Sequence, residues 1–160
     1  NLQIMTNSQY VLGYDLMQNP IDTRTLIPFL HQLDQNGVLG REIVADAGYG
    51  SESNYKYIED ELLNCTALIP YSTMLKENSR KWRSDDRKVM NWEYHEADDY
   101  YIDPHGVRFN FKRYAYRNDK YKFRRDFKLY QAEKYDENHQ VIPQALTPRG
   151  NIKSIMVRIF

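Results

Sequence analysis

Arg41-Glu42-Ile43-Val44-Ala45-Asp46-Ala47-Gly48-Tyr49-Gly50-Ser51-Glu52-Ser53-Asn54-Tyr55 is the stretch on which the fold turns. Its first six residues are a short apolar run closed by an acid, which predicts a strand over 41–46. Gly48-Tyr49-Gly50 supplies the turn out of it. Ser51 stands where it caps a helix whose first turn holds Glu52, with Tyr55, Ile58 and Leu62 recurring on one face. Thr66-Ala67-Leu68-Ile69-Pro70 reads as the next strand. Strand, tight turn, helix, strand is the repeating unit of an α/β sheet.

The flanking sequence extends the pattern. Leu2 to Asn7 and Tyr10 to Met17 read as two strands joined by polar Asn7-Ser8-Gln9, a hairpin. Asn19-Pro20 breaks the chain, and Leu26, Ile27, Leu30 and Leu33 form the stripe of an amphipathic helix. With Thr25 as N-cap, Pro28 falls among the first four positions, whose N–H groups lack helical partners anyway; Gly37 ends the helix. The order ββαβαβ is mixed α/β, with strands alternating with helices in its later part. From Lys76 to Lys88 the chain is polar, a loop with one helical turn. Beyond it, aromatic-rich runs alternate with turns: Trp92 to Ile102, Val107 to Tyr116 and Tyr121 to Gln131, a β-meander.

Composition bounds the function. Of 160 residues, 41% are apolar and 28% charged, as in a globular domain, and no apolar run reaches the roughly 18 residues of a membrane span. The single cysteine, Cys65, reads as a small buried hydrophobe; it excludes an internal disulfide framework and a cysteine-cluster zinc site, and suggests a reducing, cytoplasmic setting. The chain opens at Asn1 and closes on the apolar run Ile155-Met156-Val157-Arg158-Ile159-Phe160, which predicts a piece of a longer protein. The 22 basic and 22 acidic residues cancel, but not locally. Residues 1–75 hold three basic and nine acidic residues, a net −6, so residues 76–160 carry +6. Such asymmetry hints at a nucleic-acid surface on the second part.

Two sets of residues could carry chemistry. Asp46 closes a strand in an α/β pattern, so its carboxylate sits at the carboxyl edge of a sheet, where ligands of such sheets bind. There it either holds Mg²⁺, which prefers one or two carboxylates plus phosphate oxygens and water, or merely caps a turn. The same glycines nearly spell a dinucleotide fingerprint, but the third position is Ser53 and the following strand ends Ile69-Pro70-Tyr71 without the required acid. The second set is Arg108, Lys112, Arg113, Arg117, Lys120, Lys122, Arg124 and Arg125, eight cations against Asp119 alone, interleaved with Phe109, Phe111, Tyr114, Tyr116, Tyr121 and Phe123. Period-2 alternation predicts cations on one sheet face and aromatics on the other. The cationic face then either contacts a phosphate backbone or is a solvated surface over an aromatic core. His95-Glu96-Ala97-Asp98-Asp99 lacks the spacing of a zinc site and reads as a solvated edge; His31 reads as surface or core filler.

Asn1-Leu2-Gln3, Leu12-Gly13-Tyr14, the run from Asn19 to Leu30 and the block Ala45-Asp46-Ala47-Gly48-Tyr49-Gly50-Ser51-Glu52-Ser53-Asn54-Tyr55, in that order, resemble the DDE transposases of bacterial insertion sequences. The likeness is close over residues 1–71 and looser through Lys81-Trp82 and Asn91-Trp92. It implies an incomplete RNase H-like mixed sheet with helices over 1–71, a β-rich insertion over 72–145 and a truncated returning strand over 146–160. It further implies Asp46 as the second acid of an Asp-Asp-Glu set and Mg²⁺ or Mn²⁺ as cofactor, with two-metal phosphoryl transfer on double-stranded DNA as the chemistry. A homodimer and a nucleoid-associated cytoplasmic location follow by the same likeness, with no zinc and no membrane. The family's first Asp is expected upstream of Asn1, and its final Glu beyond the insertion. Tyr114-x-x-Arg117 begins the Glu signature, but Tyr121 occupies the Glu position. Asp103 stands before Pro104-His105-Gly106, where relatives carry a cysteine of a metal knuckle. The expectation is a fragment inactive alone, or else a non-catalytic transposase-derived module that binds DNA or protein.

Overall fold

The computed structural model describes residues 1–159, which divide into two compact units, Asn1–Glu77 and 78–159.

The first unit opens with an antiparallel hairpin, β1 (Leu2–Asn7) and β2 (Tyr10–Leu16). Helix α1 (Asp22–Gln35) follows and buries Leu26, Phe29, Leu30 and Leu33. Gly13 of β2 lies against Leu33, and any side chain there would collide with it. The helix begins four residues before the expected start, with Ile21 and not Thr25 in the N-cap position. The Asn19 side chain accepts from the Ile21 N–H (3.0 Å) and turns the chain into the helix early, and Thr25 Oγ1 instead donates to the Asp22 carbonyl (2.9 Å). Pro28 therefore lies inside the helix and costs it one hydrogen bond. The exit is as expected. Gly37 takes a left-handed φ of 66°, its N–H bonding the Asp34 carbonyl (2.9 Å) while the Val38 N–H bonds that of Leu33 (3.1 Å).

Strands β3 (Glu42–Val44) and β4 (Thr66–Leu68) pair in parallel, with α2 (Glu52–Glu61) between them in the chain. Ser51 caps α2, its Oγ accepting from the Asn54 N–H. Leu26, Leu30, Ile43, Ile58, Leu62 and Ile69 form the core. Cys65 lies half-buried at its margin rather than within it; its thiol donates to the Gly40 carbonyl (3.3 Å), and burial pushes its pKa up. The expected mixed sheet is not continuous. β1–β2 and β3–β4 are separate two-stranded sheets. A groove of about 520 Å³ lies between the facing edges, lined by Gln3 to Ser8 of the hairpin and Gly40 to Ala45 around β3.

In the second unit, α3 (Met74–Glu77) having closed the first, the expected loop contains a helical turn, α4 (Arg80–Arg83), capped by Ser79. A five-stranded antiparallel meander follows: β5 (Glu93–His95), β6 (Tyr100–Ile102), β7 (Arg108–Asn118), β8 (Arg124–Ala132) and β9 (Ser154–Arg158). The run Trp92 to Ile102 is thus a hairpin and not one strand, because Asp99 turns the chain with φ 50°, a conformation aspartate tolerates. Its carboxylate then reaches β8, accepting from Lys128 Nζ (2.8 Å), Tyr130 Oη (2.6 Å) and Tyr94 Oη (2.9 Å). Val107, Phe109, Tyr130, Ala132 and Ala145 form the core beneath. No helix among the described residues is long and apolar enough to cross a membrane.

Candidate active site

Asp46 lies two residues beyond β3, at the carboxyl edge of the parallel pair, and is exposed. It is the N-cap of a 3-10 turn over Ala47–Tyr49, its Oδ1 accepting from the Gly48 N–H at 2.7 Å. The turn-capping role is therefore real, yet it engages one oxygen. Among the described residues none donates to Oδ2. The glycines that follow serve close approach, not a left-handed backbone. A Cβ at Gly50 would meet the Pro70 carbonyl at 2.5 Å and Tyr55 Oη at 2.8 Å, and one at Gly48 would meet Asp46 Oδ1 at 2.9 Å.

The same point at Gly48 lies 3.4 Å from Oδ2 of Asp22, so this oxygen and Asp46 Oδ1 are at most about 6.3 Å apart. Asp22 is the first residue of α1, and its Oδ1 accepts from Asn1 Nδ2 (2.6 Å). Tyr49 completes the neighbourhood. Its hydroxyl donates to Gln3 Oε1 of β1 (2.5 Å), and its pKa is raised first by burial, then by the charges of Asp22 and Asp46. Asn54, wholly buried in α2, ties the segments together: Nδ2 donates to the carbonyls of Thr23 (3.1 Å) and Tyr49 (2.7 Å). The start of α1 and the Asp46 turn are thus held on one amide. Sequence reading missed Asp22, Gln3 and Asn54, although all three fall inside the blocks that carried the resemblance; the signal was there, but not its three-dimensional meaning.

A divalent ion of the Mg²⁺ type takes one or two carboxylates and keeps its other positions for phosphate oxygens and water. An exposed carboxylate with one uncommitted oxygen, and a second carboxylate across a glycine, are the donor chemistry such an ion takes, although the two would have to approach within about 4 Å to share it. No group of three or more acids, histidines or cysteines among the described residues converges on one point, so a two-ion site is not assembled by them.

The cations of 108–125 divide more finely than alternation predicted. β7 and β8 pair with an extra residue, Lys112, between Phe111↔Tyr130 and Arg113↔Leu129. This bulge shifts the pleat by one, so Phe109, Phe111, Tyr114 and Tyr116 share a face despite their uneven spacing. Arg108, Arg113, Arg117 and Arg125 take the other, with the Lys112 ammonium bonded to Gln131 Oε1 (2.8 Å). Arg117 and Arg125 stand directly opposite each other. Arg124 departs from expectation by sharing the aromatic face, its guanidinium 4.6 Å from the Tyr116 ring and 2.8 Å from Asp126. Lys120 and Lys122 lie in the connecting turn. The aromatic face is not all core: Phe109 is buried, but Tyr114 and Tyr116 are 67% and 62% exposed. His95 stacks on Tyr100 (4.3 Å) beside Glu93, and His31 is exposed.

No curated protein and no solved structure matches the sequence. The profile of the Transposase DDE domain matches residues 1–148, nearly the whole chain and both units, with Asp46 and the cation-bearing hairpin inside the matched region. The chain belongs to the transposase DDE-domain family.

Proposed function

We propose that this chain is part of an insertion-sequence transposase that cleaves and joins DNA strands with Mg²⁺ or Mn²⁺, and that Asp46 is one of its catalytic acids. The observation that carries the reading is Asp46 itself: an exposed carboxylate at the carboxyl edge of a parallel strand pair, oriented by the Gly48 N–H, within a chain of this family. An ion held there would polarise phosphate oxygens and lower the pKa of an attacking hydroxyl. The protein's own part is positional. Gly48 fixes one carboxylate oxygen, Gln3 and Tyr49 tie the turn to β1, and Asn54 ties it to α1.

An RNase H-like core accounts for the divided sheet. Among the described residues the facing edges of β1 and β3 pair with no strand, and Gln3 Nε2, on a residue 1% exposed, has no partner beside the groove. One further strand there would join the antiparallel and parallel pairs into a single mixed sheet. The active enzyme needs additional acids, since those described here do not converge; the isolated 160 residues are inactive and act as a DNA-binding part of the assembly. A cytoplasmic, nucleoid-associated protein acting as a homodimer on double-stranded DNA completes the proposal.

The cationic face supports the DNA contact. Arg117 and Arg125 stand directly opposite on paired strands, and although Asp119 lies 3.9 Å from Arg125, a phosphate would bridge the two guanidinium groups. A filter-binding titration of a DNA duplex across salt concentrations tests it. The expected result is salt-sensitive binding, with Arg113→Glu, Lys122→Glu and Arg125→Glu together lowering the log–log salt slope by about 3. Unchanged affinity in this variant would remove the DNA role of the hairpin. Strand cleavage by the purified chain with Mn²⁺ would overturn the claim that it is inactive alone.

A further inference from the structure

We propose that the outer half of the β7–β8 hairpin is a stacking site for unpaired DNA bases, with Tyr114 and Tyr116 as its platform. The inference rests on the DNA-binding reading above and goes beyond it, since phosphate contact needs only the cations.

Four observations carry it. An aromatic ladder leaves the core and runs into solvent: Tyr101 meets Tyr130 edge-on at 4.9 Å, Tyr130 meets Phe111 at 5.9 Å, and Phe111 meets Tyr114 at 5.1 Å. Exposure rises along it: Tyr130 is buried, Phe111 is 37% exposed, and Tyr114 and Tyr116 are mostly exposed. The bulge at Lys112 keeps the outer rings on the ladder's face; without it Tyr114 would point to the cationic side. Side chains two apart on a strand stand about 6.6–6.8 Å apart, twice the 3.4 Å stacking distance along a nucleic-acid strand. Two such rings accept flat bases at intervals that a stretched single strand reaches. Finally, the Arg124 guanidinium lies 4.6 Å from the Tyr116 ring on the same face, so a phosphate partner stands beside the platform, while Arg113 and Arg117 project from the opposite face of the strand.

The occupant follows from these features. A duplex hides the faces of its bases and would leave exposed rings without use, whereas an unpaired base offers its face to any ring. A protein partner is disfavoured by the charge, eight cations against one acid in residues 108–125.

Fluorescence polarisation of labelled dT12 and of a 12-base-pair duplex, each titrated with the whole chain, tests the proposal. Base stacking is worth about 1–3 kcal/mol per ring, so the Tyr114→Ala/Tyr116→Ala double variant is expected to lose at least about tenfold in dT12 affinity. Its duplex affinity should change less than threefold. The Tyr114→Phe/Tyr116→Phe variant keeps both rings and should bind dT12 as the parent does. Undiminished dT12 binding by the alanine variant, or equal loss in the phenylalanine variant, overturns the stacking site while leaving the cationic contact standing. Failure of the parent chain to bind either probe overturns both.

Discussion

Asn54 offers the sharpest structural test of the site. Asn54→Leu keeps the branched outline of the side chain in α2, at a larger volume, but removes the amide that donates to the carbonyls of Thr23 (3.1 Å) and Tyr49 (2.7 Å). Each buried hydrogen bond contributes about 1 kcal/mol net, and a carbonyl left without a donor costs about 1–3 kcal/mol. Both carbonyls belong to half-buried residues, so solvent recovers part of that cost, and the expected loss is about 2–4 kcal/mol. The loss is local, because the two carbonyls belong to the start of α1 and to the Asp46 turn. Native-state amide hydrogen exchange is the suitable assay, since it reads α1, α2 and the turn separately from the second unit, where one global transition would mix the two. The expected result is faster exchange throughout α1 and at Gly48, with amides of β7 and β8 unchanged. Exchange in α1 and at Gly48 slowed or unaltered would refute the clamp.

Two other perturbations follow from single contacts. Gly50→Ala puts a methyl 2.5 Å from the Pro70 carbonyl and 2.8 Å from Tyr55 Oη, so urea denaturation should show a loss of about 1–3 kcal/mol in the first unit; an unchanged midpoint would contradict the close approach. Asp99 concerns pH. Burial alone would raise its pKa, but the bonds from Lys128, Tyr130 and Tyr94 and the charge of Lys128 outweigh it and hold the carboxyl below its ordinary value. A depressed folded-state pKa gives stability that is present above the unfolded value of about 3.9 and is lost as pH falls through the folded one. Asp99→Asn should therefore destabilise the second unit at pH 7 and flatten its acid unfolding below about pH 4. An acid-unfolding curve as steep as that of the parent would contradict this.

Much of the first unit was legible because its elements are locally determined. The hairpin needed its alternation, α2 needed Ser51, and the end of α1 needed Gly37. The start of α1 was misread because an Asn19 side chain, not a helical periodicity, decides it. The division of the sheet was illegible because strand neighbours are a long-range property. The bulge at Lys112 was hidden for a related reason: it is defined by the partner strand, and the uneven spacing of Phe111, Tyr114 and Tyr116 looks like broken alternation until β8 lies beside it. Asp46 was legible as the acid closing a strand. Its companions Asp22, Gln3 and Asn54 were not, since they come from three other elements and meet only through the fold.

The central claim is that Asp46 holds a divalent ion. Paramagnetic broadening by Mn²⁺, followed by NMR on the whole chain, tests it directly, because the Gly48 N–H that donates to Asp46 Oδ1 reports on any ion at that carboxylate. The account predicts that the amides of Asp46 and Gly48 broaden at lower Mn²⁺ than those beside Asp34 or Glu59, and that Asp46→Asn abolishes the difference. Uniform broadening at all these acids, or an unchanged pattern in the variant, would contradict it.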